Sequence, residues 1–270
     1  MAKAFLIDVA RCNGCHNCQV ACKDEHCGRA WLPYAQAQPE IGQFWMKVNE
    51  KERGQVPVVR VSYTPTLCAH CADAPCVEAC PSGAFARRDD GLLLIDPQAC
   101  AGCGSCAEAC PIGAIYLNAD SGIAQKCTGC AHLLDDGWSV PRCVDSCATG
   151  ALQFGEESEL DLEGAVPLPG LEDTGTRAYY RNLPKRFAAG CVYDLEAEDV
   201  IIGAKVELLD EAGSVVAVQE TDEFGDWKFD QIEPAAYTVR ISCSGYPDAQ
   251  VPADVTDKDL FTGDLGLIKA

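Results

Sequence analysis

Cys100-Ala-Gly-Cys103-Gly-Ser-Cys106-Ala-Glu-Ala-Cys110-Pro111-Ile-Gly-Ala114 is the stretch that decides the fold. Four cysteines stand at intervals of two, two and three residues, closed by a proline. Upstream, Cys68, Cys71, Cys76 and Cys80 repeat the theme with one wider gap and again end on proline, Pro81. Further out, Cys12, Cys15, Cys18 and Cys22 reproduce the two-two-three spacing. On the other side Cys127 and Cys130 pair with Cys143 and Cys147 across a gap of 12 residues. Cys80-Pro-Ser-Gly-Ala-Phe, Cys110-Pro-Ile-Gly-Ala-Ile and Cys147-Ala-Thr-Gly-Ala-Leu are three copies of one phrase, each predicted to lead into a short strand.

Cysteine at this density, 19 in 270 residues, serves either a disulfide scaffold or metal ligation. The N-terminus, Met-Ala-Lys-Ala-Phe-Leu-Ile-Asp and then Arg11, has no apolar signal segment, cleavage site or twin arginine, so the expectation is a reducing cytoplasm. Structural zinc is the rival ligand chemistry, and the fourth group alone fits a zinc ribbon. The crowded first and third groups do not. They have the spacing of bacterial ferredoxins, in which closely set thiolates wrap a [4Fe–4S] cube and glycines such as Gly14, Gly102, Gly104 and Gly129 let the backbone curl close to the sulfurs.

In two-cluster ferredoxins the last cysteine of each run ligates the other run's cluster. Pairing the second and third groups gives Cys68, Cys71, Cys76 with Cys110, and Cys100, Cys103, Cys106 with Cys80. The enclosing groups then give Cys12, Cys15, Cys18 with Cys147, and Cys127, Cys130, Cys143 with Cys22. One ferredoxin unit (67–118) is thus expected inside another (1–155), holding four [4Fe–4S] clusters. Cys27, Cys191 and Cys243 are left over and read as small apolar fillers, although Cys27 is an alternative to Cys22. His70 and His132, beside ligand cysteines, are candidates for hydrogen bonds near a cluster or for a plain packing role. No glycine-rich nucleotide loop, P-loop or nucleophile–base pair is present, so no catalytic residue is assigned.

The character of the chain changes after Thr149. Residues 156–198 open on the acidic run Glu-Glu-Ser-Glu-Leu-Asp-Leu-Glu and read as a linker and interface segment, with Arg177–Phe187 basic and aromatic. From 199 to 270, runs at Val200–Leu209, Ser214–Gln219, Trp227–Asp230 and Tyr237–Ser242 predict strands, separated by turns at Gly213 and Gly225. This part resembles the transthyretin-like or Cna-B-type sandwich. The fold class is therefore α+β: a nested double bacterial-ferredoxin-like domain followed by a small all-β sandwich. A net charge of −20 argues against nucleic acid and anionic membrane surfaces, and no apolar run is long enough for a spanning helix.

Four groups in this order, with Lys126-Cys127-Thr-Gly-Cys130 and Thr176-Arg-Ala-Tyr-Tyr180, resemble the four-cluster electron-transfer subunits of the dimethyl sulfoxide reductase family of molybdenum enzymes. Asp8-Val-Ala-Arg-Cys12, Gln125-Lys-Cys-Thr-Gly-Cys-Ala-His-Leu-Leu-Asp-Asp136 and the terminal Asp264-Leu-Gly-Leu-Ile-Lys-Ala270 are similar to the small subunits of pyrogallol–phloroglucinol transhydroxylase and related anaerobic phenol-ring hydroxylases. The resemblance implies a large partner subunit that carries bis-molybdopterin guanine dinucleotide and performs the substrate chemistry on a phenolic compound; a complete chain of four clusters adds the expectation of a soluble electron carrier at its outer end. It departs from the transhydroxylase pattern, in which one ligand set is degraded; here all 16 positions are cysteine. The alternatives are a stand-alone polyferredoxin and the iron–sulfur subunit of a formate dehydrogenase or hydrogenase.

Overall fold

The computed structural model describes residues 2–270, which divide into two compact units: residues 2–50 with 63–183, and residues 51–62 with 184–270. The first unit is built around β1 (Lys3–Asp8), followed by α1 (Asn17–His26), a hairpin of β2 (Met46–Gln55) and β3 (Val58–Leu67), and the one-turn helix α2 (Pro75–Glu78). A hairpin of β4 (Phe85–Arg87) and β5 (Leu93–Ile95), helix α3 (Ser105–Glu108), and a hairpin of β6 (Ile115–Asn118) and β7 (Ile123–Lys126) come next. Helices α4 (Ala131–Asp135) and α5 (Arg142–Asp145) precede β8 (Leu152–Glu156) and β9 (Ala178–Arg181).

β1 carries the apolar run Ala4-Phe5-Leu6-Ile7, all buried, because it is the middle strand of its sheet. β8 pairs with it antiparallel and β9 parallel. A strand covered on both faces is selected for continuous rather than alternating apolarity. The β1–β8 pairing joins the chain's start to the strand after Cys147, so it closes an outer ferredoxin-like unit around the inner hairpins β4–β5 and β6–β7. The core gathers Phe5, Ile7, Trp45, Leu67, Leu92 and Tyr180 around buried Cys18, Cys22, Cys68, Cys127 and Cys143.

The threefold phrase explains the short strands. In each copy the cysteine carbonyl accepts the N–H of the shared glycine, Gly83, Gly113 or Gly150. Those glycines take φ of 62°, 59° and 64°, a left-handed turn that a Cβ disfavours. The turn delivers the chain into β4, β6 and β8 respectively.

The second unit is a β-sandwich. One sheet is centred on β10 (Arg186–Asp194), which pairs with β11 (Asp199–Val200), β14 (Asp226–Ile232) and β17 (Leu260–Leu267). The other has the order β13 (Val215–Glu220), β12 (Lys205–Leu209), β15 (Ala236–Ser242), β16 (Ala249–Asp254). Val206, Leu208, Val239 and Ile241 pack with Val192, Trp227 and Phe229 to form its core.

Two boundaries differ from the sequence expectation. Residues 156–198 are not a linker. Their first part belongs to the first unit: β9 completes the β1 sheet, Leu168 and Leu171 are buried, and the carbonyls of Thr174 and Gly175 accept the N–H groups of Asp73 and Ala72. Their second part supplies β10, the middle strand of a sandwich sheet, and the Val200–Leu209 run is broken by a turn at Gly203, φ +72°. The acidic start concealed this, because charge near a strand end reads as loop while the apolar residues beyond it are spread thinly. The hairpin tip, residues 51–62, also lies in the second unit, where Arg53 faces Asp259 at 3.7 Å and Gln55 donates to the Phe261 carbonyl.

Candidate metal centres

Each group of cysteines is laid out by a loop and a short helix. The x2 spacings form the loop. Each one-turn helix then brings the next pair, four residues apart, to one side: Cys76 to Cys80, Cys106 to Cys110, Cys143 to Cys147. The long helix α1 does something further. Its buried residues are Cys18, Cys22 and His26, the i, i+4 stripe of one face. Successive members of that stripe meet different partners.

The thiols fall into four neighbourhoods. Burial pushes Cys18 up to about 12, and the thiols of Cys12, Cys147 and Cys15 add to the rise. Burial likewise holds Cys22 well above the ordinary thiol range, followed by the influence of Cys127 and Cys130, and Cys143 responds to Cys130, Cys22 and Cys127 in the same way. Cys76 is pushed up to about 12 by burial and by Cys68, with Lys126 opposing and Cys110 and Cys71 adding. Cys106 is raised by burial, then by Cys100 and Cys80, and more weakly by Cys103. Two of the neighbourhoods line hollows. Cys68, Cys71, Cys76 and Cys110 line one together with Leu93 and Leu171. Cys80, Cys100, Cys103 and Cys106 line another.

Backbone amides are aimed at the sulfurs. The N–H groups of Ala84 and Ala114 donate to Cys80 Sγ and Cys110 Sγ at 3.4 and 3.3 Å, the fifth residue of the repeated phrase in each case. Gly129 and Ala124 donate to Cys127 Sγ and Cys100 Sγ at 3.3 and 3.4 Å. Around Cys147, burial raises the thiol but the N–H groups of Leu152, Ala151 and Thr149 and the Thr149 hydroxyl outweigh it, and the net shift is downward.

Thiols gathered in a largely apolar wall are stable as thiolates only around positive charge. Among the described residues no three His, Cys, Asp or Glu side chains are gathered tightly enough to hold a single metal ion. All-sulfur quartets spread around a cavity, with amides pointing at the sulfurs, fit a [4Fe–4S] cube.

The remaining candidates lie apart. Cys27 is half-buried just past α1, in a bridge with Gln38, and joins none of the four neighbourhoods. Cys191 and Cys243 are in the sandwich, Cys191 raised to about 11 by burial and then by Asp226 and Asp264. His70 occupies the left-handed position that Gly14, Gly102 and Gly129 fill in the other Cys-x2-Cys turns, with φ of 48°. It is fully buried, and its Nδ1 accepts the Leu93 N–H at 3.0 Å. His132 Nε2 meets Glu25 at 3.1 Å, and its ring stacks on Trp31. Sequence reasoning missed His26, whose Nε2 lies 3.8 Å from Cys130 Sγ and whose ring burial holds neutral, its pKa lowered to about 3 with His132 adding to the fall. Its spacing of four from Cys22 was the available signal.

Comparison with known proteins matches this anatomy. Residues 11–84 and 59–157 each match a 4Fe-4S dicluster domain model, and residues 189–265 match the carboxypeptidase regulatory-like domain. The pyrogallol hydroxytransferase small subunit of Pelobacter acidigallici is 40% identical over 98% of both chains. A component of the anaerobic dimethyl sulfoxide reductase of Escherichia coli strain K12 is 37% identical over 61% of this chain and 81% of its own. The thiosulfate reductase electron transfer subunit of Salmonella typhi is 32% identical over 70% of this chain and 90% of its own. With its quartets, its nested ferredoxin-like unit and its terminal sandwich, the chain belongs to the family of iron–sulfur electron-transfer subunits that includes the pyrogallol hydroxytransferase small subunit.

Proposed function

We propose that the chain holds four [4Fe–4S] clusters and relays electrons to or from a large catalytic subunit that carries bis-molybdopterin guanine dinucleotide and acts on a phenolic substrate in the cytoplasm. Each cluster supplies a one-electron step at its own potential. Cys12, Cys15, Cys18 and Cys147 would hold one, and Cys22, Cys127, Cys130 and Cys143 the next. Cys68, Cys71, Cys76 and Cys110 would hold the third, and Cys80, Cys100, Cys103 and Cys106 the last.

The observation that carries this reading is the linear adjacency of the four neighbourhoods. Cys143 feels Cys18, which links the first to the second. Cys127 feels Cys68, which links the second to the third. Cys71, Cys76 and Cys110 pack in one apolar cluster with Cys80, Cys100 and Cys106, which links the third to the fourth. The inner two quartets are the more buried, whereas Cys15 and Cys103, one at each end, are exposed. Buried middles and accessible ends suit a relay between two redox partners. The partner's cofactor and the phenolic substrate are carried over from the pyrogallol hydroxytransferase relative, and a soluble carrier is proposed at the far end.

The chain co-expressed with its large subunit and purified without oxygen should contain about 16 iron and about 16 acid-labile sulfide per small subunit. Molybdenum should co-elute with it. A ratio near 12 iron, or stoichiometric zinc, would sink the four-cluster reading, and a preparation without molybdenum would sink the partnership.

A further inference from the structure

Lys126 ends β7 immediately before Cys127, and only 2% of its surface is exposed. Its Nζ donates to two carbonyls, those of Leu93 and Cys127, the latter at 3.1 Å. Among the described residues no carboxylate pairs with it. A buried ammonium is strongly unfavourable unless an anion compensates it, and carbonyl dipoles do so only in part. The neighbouring imidazole of His70 is no substitute: its Nδ1 accepts the Leu93 N–H, so the ring is not a cation's partner but a neutral one.

The two carbonyls place the ammonium between two quartets. Cys127 belongs to the second quartet of the proposed relay, and Leu93 lines the cavity of Cys68, Cys71, Cys76 and Cys110, the third. Lys126 therefore sits where the two inner quartets approach each other, and its missing counter-charge is the negative charge that both would carry when loaded.

We propose that Lys126 is a shared counter-charge that raises the reduction potentials of the two inner clusters together. The inference rests on the ligation reading given above. One-electron reduction adds one negative charge to a cluster and breaks no bond. A fixed cation nearby stabilises the reduced form more than the oxidised one, and low local dielectric lets it act on both sides. The pair of inner clusters is then kept easier to reduce than it would be in an apolar wall, which favours filling the middle of the relay from either end.

The test is an EPR-monitored redox titration of the intact complex carrying Lys126→Met, Lys126→Gln or Lys126→Arg, each first assayed for iron. Iron content of the wild-type complex tests the ligation reading, so a failure there is separate from a failure of this proposal. With full iron, Met and Gln should lower the reduction equilibrium constants of two clusters at least tenfold, equivalent to 59 mV for a one-electron couple. The other two clusters should not move, and Arg should restore the wild-type values. Loading of the Arg variant alone would also support a requirement for charge, since Gln keeps a donor for the carbonyls. Fully loaded Met and Gln variants with all four potentials unmoved would overturn the proposal. So would a shift in one cluster alone, or failure of all three variants to load, which assigns Lys126 to packing.

Discussion

Cys22 and Cys27 are close in sequence, and a spacing argument alone does not choose between them. The helix chooses. Cys22 lies on the buried stripe of α1 with Cys18 and His26, under the influence of Cys127 and Cys130, while Cys27 lies beyond the last turn. A helical stripe has one consequence for the proposed ligation: Cys18 and Cys22, one turn apart, would serve adjacent quartets, so a single helix would span the step between them. Cys22→Ala should therefore damage the cluster of Cys127, Cys130 and Cys143, far along the chain, and remove about four iron per chain at most. Cys27→Ala should leave iron content and all four EPR signals intact. Loss confined to the signal of Cys12, Cys15 and Cys18 in Cys22→Ala would show that the crossing is wrong. The grouping of the cysteines was legible in the sequence because a Cys-x2-Cys loop and a Cys-x3-Cys turn are local chain geometry. Lys126 and His26 were not. One was visible as part of a motif and the other as a spacing, but what matters in each is burial against residues distant in sequence, and no local pattern encodes that.

At the scale of elements, the informative disagreement is the segment from Glu156 to Glu198. Its charges suggested a tether, yet β9 lies against β1 and Leu171 walls the cavity of Cys68, Cys71, Cys76 and Cys110. The strand β9 is short and pairs parallel with a partner about 170 residues upstream, so its only local mark is Ala178-Tyr-Tyr180, indistinguishable from an exposed aromatic patch. The sandwich strands were easier to read: β12, β14 and β15 alternate with punctuation at Gly213 and Gly225, whose φ values of 79° and 73° supply the turns. These boundaries fix where the chain can be cut. Ending the protein at Leu183 keeps β9 and all sixteen grouped cysteines and should leave the iron content unchanged. Ending it at Glu159 removes β9 and Leu171 and should cost the iron held by Cys68, Cys71, Cys76 and Cys110. Equal iron in both truncations would show that β9 and Leu171 do not shelter that quartet.

For the whole molecule, the question is what a complete relay of four clusters, as proposed, would be for. Moving a hydroxyl between two phenols leaves the number of electrons unchanged, and such a reaction needs no conduit beyond its own active site. Hydroxylation with water, or reductive removal of a hydroxyl, passes two electrons in or out. In this chain all sixteen positions are cysteine, the four neighbourhoods adjoin in sequence, and an exposed thiol stands at each end. Sulfur and hydrogen-bond donors to it are maintained even in the outermost quartet, where Ser82, Ser105 and the Ala84 N–H attend Cys80 and Cys103. A relay intact to its outer end is of use only when electrons leave or enter the complex. The proposed reaction is accordingly a net redox conversion of a phenolic substrate coupled to an external carrier. Turnover of the complete complex should then require an electron acceptor or donor, and an artificial dye should suffice to restore it. Replacing Cys103 with alanine, at the exposed end, should suppress dye-coupled turnover while leaving the three other clusters reducible. Full activity with a phenolic co-substrate and no acceptor or donor would instead establish transhydroxylation, with the outer quartets carrying no current.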